Sequence, residues 1–170
     1  RVKRLLETET AAVVHPTIED PEEEFEPRNM RSLPATGGEE ILTTPAHVNG
    51  ESGETSLGVN LRWYLANSIE RRLARSGVDP SKILFASFHA DVLHPSLRGT
   101  MIYVPGERYR QGAQGTGDRG ASRYAEVREM RTVSFSRSER IESEGLSRQF
   151  ANLLVRSLTN RGLGVHPYEP

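Results

Sequence analysis

The sequence contains no cysteine, which removes disulfides and any thiolate metal site. A metal held by these 170 residues would therefore sit on histidine and carboxylate groups. Charge of one sign is also lacking. Lysine and arginine number 22 against 23 aspartates and glutamates, a net charge of −1, so no global basic field exists and nucleic acid is not an expected partner. No apolar run approaches the roughly 18 residues that would suggest a membrane span. A signal peptide is missing too. The chain opens on Arg1-Val2-Lys3-Arg4 without a methionine and reads as a mature form or an excised piece, so the missing signal says little about location.

The length suits one domain with a real core. Hydrophobic content of 35% and a mean hydropathy of −0.56 add substantial loops to that expectation. Residues 1–8 (RVKRLLET) read as the last turns of a helix, and 11–17 (AAVVHPT) as a short strand. From about 19 to 56 the pattern is lost: an acidic run, EDPEEEFEP, precedes a stretch rich in Pro, Gly, Thr and Asn. A loop of that length reads as an insertion or a functional flap, its acidic run as a solvated surface. Leu57, Leu61, Leu65, Ile69 and Leu73 then mark an amphipathic helix, with Ser56 as candidate N-cap and Gly77 past its end.

Residues 83–91 (ILFASFHAD) read as a strand apolar on both faces, suited to the middle of a parallel sheet, with 100–106 (TMIYVPG) a second strand behind it. Residues 107–132, rich in Gly, Arg and Gln, read as a long mobile loop, followed by a brief strand in TVSFS. Ser136 and Glu139 form a capping box that opens a helix whose apolar line is Ile141, Leu146, Phe150, Leu153, Leu154 and Leu158. The expected fold class is α/β: a layered sheet, largely parallel in its centre, with helices on both faces.

A buried strand that turns polar at its carboxyl end lies where open α/β sheets bind ligands. Alternation puts Ser87, His89 and Asp91 on one side of the strand. His89 and Asp91 have the spacing to reach one metal, and His94 lies just beyond; the plainer reading makes His89 a hydrogen-bonded structural residue. His94-Pro95 reads mainly as loop structure. His15, His47 and His166 have no partners at ligand spacing and read as structural or solvent-facing.

The block FASFHAD (85–91) resembles the Ser-Ile-His-Ala-(Asn/Asp) stretch of zinc-dependent N-acetylmuramoyl-L-alanine amidases of the autolysin and cell-separation type. Arg62, Ala66 and Asn67 occupy the places of an Arg and an Ala-Asn pair on the preceding helix. Arg98, Gly99 and Tyr103 in LRGTMIYV follow as the family's Arg-Gly and strand tyrosine do, and the helix opened by Ser136 looks like the one after the family's inserted loop. Pro16-Thr17-Ile18 departs from the family's usual Leu-Thr-Arg ending.

The resemblance implies Zn2+ as cofactor, His89 as one of three protein ligands, Asp91 and Ser87 beside the metal or lining the cleft, and Arg62 and Asn67 as structural support. It implies peptidoglycan as partner, a periplasmic or extracellular location, and hydrolysis of the amide between N-acetylmuramic acid and L-alanine. The family's Gly-His-Gly-Gly turn, Glu ligand and general-base Glu have no counterpart here. The expectation is thus one amidase-like domain, incomplete at both ends, with loops at about 19–56 and 107–132 and no turnover by this piece alone. The alternative is a non-catalytic α/β module that binds cell-wall sugar or peptide. LPATG (33–37) matches a sorting pentapeptide but sits mid-chain before Gly38-Glu39-Glu40 and reads as a turn. The arginines of 107–132 suit contact with an anionic mesh, though Glu107, Asp118, Glu126 and Glu129 favour a solvated loop. Stem-peptide preference and any activator protein leave no mark in the sequence.

Overall fold

A computed structural model describes residues 2–19, 38–48, 55–89, 99–115 and 119–166. In chain order the elements are α1 (Val2–Glu9), β1 (Ile18–Glu19), β2 (Glu40–Ile41), β3 (His47–Val48), α2 (Thr55–Arg75), β4 (Ala113–Gly115), α3 (Ala125–Glu129), β5 (Thr132–Ser134) and α4 (Arg137–Asn160). Short 3-10 turns lie at Pro80–Lys82, Glu107–Tyr109 and Arg119–Arg123. The chain divides into two compact units: Arg1–Ile83 with Gly115–Val133, and Leu84–Gln114 with Ser134–Pro170.

The first unit contains the core. Helix α2 packs on α3 and β2, burying Leu57, Leu61, Tyr64, Leu65 and Ser68. A stride of four drifts off a 3.6-residue turn, so the buried stripe leaves the leucine line and passes through Tyr64 and Ser68. Gly77, at φ 88°, closes the helix end in the left-handed region expected of a glycine past the C-cap. Ile41, Ala121, Tyr124 and Val127 complete the cluster, with Trp63 packed against it and set edge-on to Tyr64 at 4.9 Å between ring centres. The sheet of this unit has the order β1-β2-β3 and is antiparallel throughout, with Ile18 opposite Ile41 and Ile41 opposite His47. The β2–β3 connection includes a cis Thr44-Pro45 bond.

In the second unit α4 opens on the expected capping box. Glu139 N–H donates to Ser136 Oγ at 3.2 Å and Ser136 N–H to Glu139 Oε2 at 2.6 Å. The more protected face of α4 runs through Arg140, Glu144, Ser147, Ala151, Leu154 and Leu158, while Ile141 and Leu153 are exposed. Polar contacts hold the 105–112 segment to it: Arg140 pairs with Glu107 at 2.8 Å, and Arg110 donates to Ser143 at 3.1 Å and to Ser147 at 3.3 Å. Gly99 has φ 101°, and a Cβ there would lie 2.7 Å from the Gly164 carbonyl oxygen, beside the parallel bridge of Thr100 with Val165.

The layered α/β fold with a largely parallel central sheet is not what forms. Among the described residues the strands are two or three residues long, and every ladder with an assigned register is antiparallel. The decisive segment is 83–89, which forms no strand. Its apolar side chains face solvent: Leu84, Phe85 and Phe88 are 53%, 65% and 75% exposed. A central parallel strand needs neighbours on both edges and cover on both faces. Residues 100–106 make only the Thr100 bridge, and 11–17 form no strand, pairing beginning at Ile18. Within the two expected loops lie β2, β3, β4 and α3, and Ala121, Tyr124, Glu126, Val127 and Met130 are buried.

Candidate functional site

His89 lies at the end of the apolar run that starts at Ile83, whose backbone is extended at φ −101° and ψ 121°. Ser87 and His89 are two residues apart, and Ser87 Oγ lies 2.8 Å from His89 Nε2. Both side chains are exposed, and Nδ1 of His89 has no partner among the described residues. Asp91, His94 and Arg98 lie outside the described residues. An imidazole with one ring nitrogen hydrogen-bonded and the other open is the state in which metal-ligating histidines are usually held. It fits one ligand position. A catalytic zinc takes three protein ligands, and no group of three His, Cys, Asp or Glu residues able to hold a metal occurs among the described residues. These residues therefore do not complete a zinc site.

Arg62 and Asn67 lie on α2 in the first unit, both half-buried. Asn67 donates from its side-chain amide to the Trp63 carbonyl one turn earlier, at 2.8 Å. Tyr103 is exposed, and its hydroxyl donates to the Met101 sulfur. Gly99 holds its place by backbone geometry rather than chemistry, since a side chain would strike Gly164.

A second polar cluster, in the first unit, was not legible as a site. His47 and Tyr124 are 4% and 1% exposed, and Tyr124 Oη lies 2.7 Å from His47 Nδ1. Arg123 donates to the same hydroxyl and lies 4.9 Å from the tyrosine ring centre. His47 Nε2 has no hydrogen-bond partner among the described residues. Nearby in the chain, the buried Glu126 accepts from Thr44 N–H and Thr44 Oγ1, each at 3.0 Å, and Ser68 donates to Glu129 at 3.1 Å. These bonds tie the β2–β3 connection and α2 to the segment around α3. Their evident work is structural: each joins residues 61 or more positions apart. Ala121, Tyr124, Val127 and Met130 recur every third residue, with Arg119, Arg123, Arg128 and Arg131 off that line, and that stride was the available signal.

No family model, curated protein or solved structure matches the chain. Among the described residues no helix is long and apolar enough to cross a membrane.

Proposed function

We propose that this chain is part of a zinc-dependent peptidoglycan amidase and that His89 is one of its metal ligands. The observation that carries the reading is the state of His89: solvent-accessible, one ring nitrogen on Ser87 and the other open, within the FASFHAD block that carries the resemblance. The other ligands and the general base would come from residues outside the described ones. A zinc held by His89 together with ligands from outside the described residues would supply a Lewis acid for an amide carbonyl. The contribution of the described residues is narrower: His89 would offer one ring nitrogen, with the other in contact with Ser87 Oγ. The substrate in this reading is the amide between N-acetylmuramic acid and L-alanine, and the setting is the cell envelope.

The test is release of stem peptides from purified peptidoglycan by the full-length protein. The reading expects release that a chelator abolishes and added zinc restores. Binding to peptidoglycan without any release would instead favour a non-catalytic wall-binding role and would sink the enzymatic one.

A further inference from the structure

We propose that α4 pairs antiparallel with α4 of a second copy of this chain, through Leu146, Phe150 and Leu153 and about a two-fold axis beside Phe150. These three residues follow one another at steps of four and three, the spacing that lines side chains up along one side of a helix. They are 39%, 39% and 64% exposed. The same spacing extends the line to Glu142 at one end and Arg156 at the other. Both are exposed, and neither has a partner among the described residues. The remaining charges of α4 are engaged within the chain. Arg137 and Arg140 face Glu107, Arg148 pairs with Glu144, and Glu139 accepts from Ser136 N–H.

The order of charge along the line selects the occupant. In a parallel pair Glu142 would meet Glu142, and Arg156 would meet Arg156. Turned end for end, Glu142 of each copy meets Arg156 of the other, and Leu146 meets Leu153. Both matches hold at once because the pairs 142–156 and 146–153 share a midpoint to within a residue, and Phe150 lies beside it. The stripe is its own complement, as a two-fold interface between identical chains requires. It also has an apolar centre with charges at its rim, the usual layout of a protein interface. Nothing in this pairing involves His89, so it stands apart from the amidase reading.

The experiment is sedimentation equilibrium of the full 170-residue chain and its variants, with circular dichroism as the check on folding. The parent should associate to twice the chain mass. Leu153→Glu, at the most exposed position of the stripe, should weaken association about a hundredfold. Glu142→Arg and Arg156→Glu should each weaken it about tenfold, since each sets like charges together twice, and the double reversal should restore the parent affinity. Orientation is read by cross-linking, which a chain without cysteine makes clean. Gln149→Cys lies beside the axis and should join to its copy through a short bis-maleimide. Ser157→Cys would lie roughly 20 Å along the helix from its copy, at 1.5 Å per residue, and should not join. All five substituted positions are exposed, so each variant should keep its helix. A parent that stays monomeric throughout the micromolar range overturns the proposal, whatever else covers the stripe. A dimer that Leu153→Glu leaves intact also overturns it, as does cross-linking at Ser157→Cys as fast as at Gln149→Cys. A double reversal no tighter than the single ones overturns the antiparallel match.

Discussion

Tyr124→Phe is the sharpest probe of the core. The substitution keeps a ring that is 1% exposed and removes only the hydroxyl, so packing is preserved and the effect is polar. Two bonds are lost. Arg123 is exposed, and water replaces its bond at little net cost. His47 is 4% exposed and its Nε2 already lacks a partner among the described residues, so losing Tyr124 leaves the imidazole buried and unsatisfied there. Stranding a buried polar group costs about 1–3 kcal/mol, and we expect about 2. That is on the order of 30-fold in the folded-to-unfolded ratio. Replacing both partners by apolar groups is often nearly neutral, so Tyr124→Phe with His47→Leu should be no less stable than Tyr124→Phe alone. Urea unfolding followed by fluorescence reads this directly, because the single tryptophan, Trp63, packs against the same cluster. A Tyr124→Phe protein within about 0.5 kcal/mol of the parent would refute the reasoning.

Leu61→Ala should cost about 2–5 kcal/mol, since Leu61 is fully buried. Phe88→Ala should stay within about 0.5 kcal/mol, and a loss of several kcal/mol in the same urea titration would mean that 83–89 is a buried strand after all. Ser136→Ala should cost about 1 kcal/mol of α4 stability by removing the helix cap, read by thermal melts. Acid should loosen the same helix. The Ser136 hydroxyl and then its backbone N–H hold the Glu139 carboxyl below its ordinary value, and Arg148 and then the Glu107 N–H do the same for Glu144. A depressed folded-state value contributes stability that is complete above the ordinary glutamate value and is lost as pH falls through the lowered one. Far-UV circular dichroism should therefore show helix loss on the acid side, and Glu139→Gln should make that limb shallower. Gly99→Ala should destabilise the second unit through both its positive φ and the Gly164 carbonyl, and hydrogen exchange at Thr100 N–H, bonded to that carbonyl, should quicken.

What the sequence disclosed was local chemistry. The Ser136–Glu139 box, the glycine at position 77 and the presence of α2 and α4 follow from contacts between residues four or fewer positions apart, which a linear reading sees. Helix α2 nonetheless starts at Thr55, so Ser56 lies inside the helix and is not its N-cap. Tertiary placement was another matter. ILFASF has the composition of a buried strand, but burial depends on neighbours that a run of apolar letters does not specify, and here Phe85 and Phe88 face solvent. Strands as short as Glu40–Ile41 and His47–Val48 are below the length at which alternation registers. In 119–130 the arginines conceal the buried line of Ala121, Tyr124, Val127 and Met130. Of the candidate site, the spacing of two put Ser87 and His89 on one side of an expected strand; the strand does not form, yet the two side chains meet at 2.8 Å.

The most direct test of the central claim is the zinc content of the full-length protein compared with its His89→Ala variant, measured by elemental analysis after exhaustive dialysis. The account predicts about one zinc per parent chain, as a single catalytic site requires, and a large deficit in the variant. Unchanged zinc in His89→Ala, with the fold intact by circular dichroism, would contradict it.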